Sequence, residues 1–165
     1  MRTIRYILLL LCSILIFGLY GCGTKGDGAA TVSQVVEDEK ATAQEGEFEV
    51  SINVEQKGEN LDVYATITYL GDQDQKTIYH GGSIFFFNVY QVGGDFEHIG
   101  GMEQPLLSTD LKKGEAHKVE FNHPGLTELK PGTYEFEAIA DISIDDEKMV
   151  DTKLEVPVTT VVEID

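Results

Sequence analysis

From Thr133 to Ile144 the chain repeats with a period of two: Tyr134, Phe136, Ala138, Ala140, Ile142 and Ile144 share one parity, and Thr133, Glu135, Glu137, Asp141 and Ser143 share the other. A strand sends successive side chains to opposite faces, whereas a helix repeats every 3.6 residues, so this spacing buries its apolar set only as a strand with one face on a core. Residues 48–55 and the set Leu61, Val63, Ala65, Ile67 and Tyr69 follow the same rule, with Lys57-Gly58-Glu59-Asn60 as turn chemistry between them. The first two strands are therefore expected to form a hairpin. No segment carries a convincing helical period.

The rest of the chain adds strands of the same kind. After Gly71-Asp72-Gln73-Asp74-Gln75 come residues 76–80, a Gly81-Gly82 break, and the run 83–92, which is apolar on both parities. Such a run suits a central strand or one whose outer face is covered; the alternative is that its outer aromatics form a binding patch. Gly93-Gly94-Asp95 turns the chain into a short strand over 96–99, and residues 100–115 read as a long connection crossing from one sheet to the other. Val119 and Phe121 restart the alternation, with His117 on their parity, until Asn122-His123-Pro124-Gly125 ends it. Asp145-Asp146-Glu147 makes a turn before a last strand over 149–163, where Pro157 removes a ladder donor and so calls for an edge or a bulge. Seven or eight short strands separated by turns give an all-β, antiparallel β-sandwich. Pro131, Gly132 and Tyr134, at the entry to the strongest strand, resemble the tyrosine corner of immunoglobulin-like sandwiches, in which the hydroxyl bonds backbone a few residues upstream.

The N-terminus has a different character. Arg2 and Arg5 precede an apolar run from Ile7 to Phe17, which is too short for the roughly 20 residues of a spanning helix and fits an export signal. Leu19-Tyr20-Gly21-Cys22 resembles the bacterial lipoprotein signal, and that resemblance implies cleavage after residue 21 and lipidation of Cys22 with palmitate-like acyl chains. Two chains hold a protein stably on its membrane where one does so only marginally. The expected organisation is a signal peptide over 1–21, the lipidated Cys22 with a flexible acidic linker over 22–47, and an immunoglobulin-like sandwich over 48–165. The location is the extracytoplasmic face of the cell membrane. Cys12 leaves with the signal, so no disulfide forms within the mature chain.

Cleavage also removes Arg2 and Arg5, taking the formal charge from -17 to -19. A field of that sign makes nucleic acid a poor partner. No GxSxG elbow, phosphate-binding glycine loop or HExxH is present, so no enzyme is expected. His80, His98, His117 and His123 lack ligand-like spacing, and no metal or other cofactor is expected. The acidic group Asp141, Asp145, Asp146, Glu147 and Asp151 lacks the EF-hand order and reads as a solvated turn, with a calcium-dependent binding module as an alternative. Residues 61–144 resemble the Bacillus intracellular proteinase inhibitor (BsuPI) family. The shared features are the aromatic run from Phe85 to Tyr90, the Gly93-Gly94-Asp95 turn, Leu111-Lys112-Lys113-Gly114-Glu115 before a strand, and Pro131-Gly132-Thr133-Tyr134 before the next. That resemblance implies inhibition of subtilisin-like serine proteases. The broader expectation is a non-enzymatic protein- or ligand-binding module whose partner is a protease or another envelope protein. The irregular segments around Phe96, His98, Leu106 and Leu107 are its candidate contacts.

Overall fold

Among the described residues most of the two-residue alternation becomes strand. The structure is a computed structural model that describes residues 33–37, 40–57, 60–101 and 105–165; the signal segment, Cys22 and the chain up to residue 32 lie outside the described residues. One antiparallel sheet holds β1 (Ser33–Glu37), β2 (Lys40–Glu45), β3 (Phe48–Lys57), β4 (Asn60–Tyr69) and β9 (Ala116–Glu120), in the order β1-β2-β3-β4-β9. The other holds β5 (Gln75–His80), β6 (Phe85–Gln91), β7 (Glu97–Ile99), β8 (Leu107–Lys112), β10 (Gly132–Ser143) and β11 (Lys153–Ile164). A 3-10 turn, Pro124–Glu128, links β9 to β10. The sandwich is all-β, as the alternation requires.

Strand β10 is the hub of the second sheet. Along one flank it pairs β11 from Gly132 to Ser143; along the other it pairs β6 from Tyr134 to Ala140, then meets β5 through Ser143 and Tyr79. Its inward residues Tyr134, Phe136, Ala138, Ala140 and Ile142 are buried, as are Ile52, Ile67 and Val54 of the opposite sheet. Strand β11 packs on β2 and β3, which closes one side of the sandwich. Pro157 lies on β11, which among the described residues pairs β10 alone, so the proline sits on an edge strand as its missing N–H demands. At the entry to β10 the Tyr134 hydroxyl donates to the carbonyl of Lys130 at 3.0 Å, closing the tyrosine corner. Gly132 just before it has φ +152, a conformation that L side chains rarely adopt.

Three boundaries and the strand count differ from expectation. Among the described residues there are eleven strands rather than seven or eight. Lys40–Glu45, expected within the flexible linker, is a strand paired along β3 with Ala41 and Ala43 fully buried, so the domain begins before Phe48. The segment hides because alanine buries little area, and its stability comes from a backbone ladder that a hydrophobic pattern does not report. Residues 100–115 are not one connection: Leu107–Lys112 is strand β8, paired with β5. Only Leu111 of β8 is buried, which left no period to read. The crossing between sheets shrinks to 113–115, where Lys113 N donates to Asp74 O at 2.9 Å and Gly114 N to Tyr69 O at 2.9 Å. The last strand starts at Lys153, because 149–152 continue the turn.

Candidate functional site

Residues paired across an antiparallel ladder share a face, so Tyr79, Ser143 and Lys153 form one row on the outer face of the second sheet. The β10–β11 turn folds over that row and brings Met149 and Val150 above it, while Pro105 and Leu106 approach from the β8 side. The result is a groove of about 340 Å³ at one end of the sandwich, with Tyr79, Leu106, Ile142, Met149 and Val150 as its apolar lining. This size lies at the lower end of small-ligand sites. Val150 is 90 % exposed and Leu106 54 %, an unusual display for aliphatic side chains.

Lys153, Asp141, Ser143 and His80 in the groove are held by protein partners. Lys153 bridges Asp141 at 3.1 Å and also bonds Glu155, and these two acceptors raise its pKa above the ordinary lysine value. Ser143 Oγ donates to Met149 O at 2.8 Å, pinning the turn. His80 is buried, with Nδ1 2.8 Å from Gly81 O and Nε2 2.9 Å from Thr109 Oγ1. A carbonyl only accepts, so in the neutral ring Nδ1 carries the proton and Nε2 accepts from the threonine. A hydroxyl that donates to backbone and a histidine occupied at both nitrogens are arranged to hold shape. Asp145 Oδ1 accepts from Glu147 N and Lys148 N at 2.9 and 3.0 Å, which makes the acidic stretch an ordered turn. Among the described residues no three or more His, Cys, Asp or Glu come together as a metal site.

The four expected contact residues separate. Leu106 lines the groove, and its exposed neighbour Leu107 opens β8 opposite His80. Phe96 is half-buried and meets Tyr134 edge-on with ring centroids 6.0 Å apart, so it belongs to the margin of the core. His98 joins an aromatic plug with Phe121 at 5.2 Å and His123 at 4.1 Å, beside Phe87 stacked on Phe121 at 4.8 Å. Burial, aided by the nearby His123 charge, lowers the His98 pKa. Pro131, Gly132 and Tyr134 build the corner far along β10 from the groove, and Cys22 lies outside the described residues. Sequence reasoning missed Met149, Val150 and Tyr79; an aliphatic residue inside an acidic turn was the available signal for Val150. No known protein-family model matches the chain, and no curated protein matches it.

Proposed function

We propose that the chain is a lipid-anchored lipoprotein of the extracytoplasmic membrane face whose sandwich is a non-enzymatic binding module. The observation that carries the binding reading is the end groove, with its exposed aliphatic lining and with Lys153, Asp141 and Ser143 engaged by protein partners. A preformed, mostly apolar concavity with a few placed polar groups is the usual form of a small-ligand site. The anchor reading is supported by the charged start, the short apolar run and the Gly21-Cys22 pair.

The anchor is tested by feeding cells that express the full chain a clickable palmitate analogue and separating their membranes. Label on the protein, membrane recovery, and loss of both in Cys22→Ala are expected; equal labelling of the variant would refute the lipid assignment. Inhibition of a subtilisin-like protease is the narrower form of the reading and rests on the family resemblance. It requires residual subtilisin activity to fall to zero near one equivalent of intact protein, and full activity at large excess excludes it.

A further inference from the structure

Beside the groove the outer face of the second sheet continues as a strip across β7, β6, β10 and β11. The ladder register places its side chains. Tyr90 stands between Glu97 and Glu135, Asn88 between Ile99 and Glu137, and Phe86 opposite Ile139, which in turn faces Pro157. Glu135 also faces Val161. Two of the apolar residues reach well into solvent, with Ile99 63 % and Val161 53 % exposed.

Around this apolar row the charge has one sign. The outward positions of the four strands carry Glu97, Glu135, Glu137, Asp141, Glu155 and Glu163, and among the described residues their single cation is Lys153, which is engaged by Asp141 and Glu155. The local field registers on Tyr90, whose phenol pKa is raised by burial first and then by Glu137, Glu97 and Glu135. The carboxylate of Glu137 accepts from Asn88 Nδ2 at 2.7 Å, and Asn88 Oδ1 accepts from Gly100 N at 3.0 Å, so Asn88 links β10 to the end of β7.

We propose that this face docks a cationic polypeptide segment whose apolar side chains seat on the Phe86, Ile139 and Pro157 row while its lysines or arginines meet the flanking carboxylates. The proposal rests on the binding-module reading and names the partner's chemistry. Four strands about 4.8 Å apart make a strip roughly 14 Å wide, which a polymer covers better than a small solute. An apolar row with carboxylates in the neighbouring rows offers an extended peptide apolar seats and charged contacts side by side. An anionic partner would meet a like-signed field, and a neutral glycan would leave the carboxylates unpaired.

The test uses the full chain in detergent micelles and three synthetic 12-residue peptides, alternating Lys-Leu, Lys-Ser and Glu-Leu, followed by calorimetry at low and physiological salt. Expected is saturable binding of Lys-Leu that weakens about tenfold as salt rises, with at least tenfold weaker binding of the other two. Glu97→Lys with Glu135→Lys is expected to lower Lys-Leu affinity at least tenfold. So is Ile99→Ser with Val161→Ser, at exposed positions whose replacement leaves the core intact. Glu49→Lys with Glu120→Lys, on the opposite sheet, is expected to change it less than twofold. Equal losses from the two sheets would mean a diffuse charge effect and overturn the proposal, as would absence of Lys-Leu binding at low salt. Binding of an N-acetylglucosamine tetramer that Tyr90→Ala abolishes and the Glu-to-Lys pair leaves unchanged would replace it with glycan recognition. None of these outcomes alters palmitate labelling at Cys22, so the anchor stands or falls separately.

Discussion

Single side chains fix the ends of the strands that carry the groove and the strip. The Tyr134 hydroxyl is the clearest case: removing it leaves the Lys130 carbonyl short of a partner while the ring stays packed. Tyr134→Phe is expected to cost about 1 kcal/mol in urea unfolding with an unchanged m-value, because one neutral hydrogen bond is lost and no cavity forms. Gly100 is tighter. A Cβ there would lie 2.8 Å from the Phe87 carbonyl oxygen and 2.9 Å from its nitrogen, both backbone atoms that yield little. Gly100→Ala is expected to cost about 1–3 kcal/mol by overpacking and to weaken the Asn88 contact, read as a lower denaturation midpoint. His98 sets a pH dependence. Its folded pKa lies below the ordinary value of about 6.5, so the unfolded chain takes the proton first. Stability from the neutral ring is complete above that value and is lost as pH falls toward the folded pKa. The melting temperature should therefore drop between pH 7 and 5.5, and His98→Gln should flatten that slope; an equal slope in the variant would exclude His98 as its source.

At the scale of elements, legibility follows how much apolar area each strand buries. The β3–β4 hairpin and β10 were readable because large side chains recur on one parity, and all of them but the half-buried Leu61 are buried. The tyrosine corner was readable by resemblance, since Pro131-Gly132 two residues before Tyr134 is the pattern that immunoglobulin-like sandwiches show there. Strand β2 was not, because Ala41 and Ala43 give the alternation without the hydrophobic weight. Strand β8 was not, because one buried leucine is no period. The groove needed β5, β10, the turn and the β8 approach together, so of the four expected contact residues only Leu106 lines it. These assignments lead to a boundary prediction. Removing everything before Phe48 strips β2 from the flank of β3 and from the face of β11. A chain starting at Phe48 is expected to melt at least several degrees below one starting at Thr31, and equal melting would return Lys40–Glu45 to the linker.

For the whole molecule the decisive quantity is a formal charge of -17 on 165 residues. Self-repulsion of this kind acts over about a Debye length, near 10 Å at 0.1 M salt, a distance comparable with two to three strand spacings. Screening therefore reaches neighbouring carboxylates on one face, such as Glu97 and Glu135 on either side of Tyr90. Raising sodium chloride from about 10 to 150 mM should raise the melting temperature, since the compact state suffers more repulsion than the expanded one. Surface ion pairs push the other way, but Lys118 with Glu120 and Lys112 with Glu115 are exposed and contribute little. The same salt must weaken a cationic partner, because the field that strains the fold is the field that attracts the ligand. Stability and affinity should thus move in opposite directions along one salt series, with unfolding still a single transition because β11 ties the two sheets together. A melting temperature that falls as salt rises would show that favourable pairs outweigh repulsion, and would remove the electrostatic basis for a cationic partner.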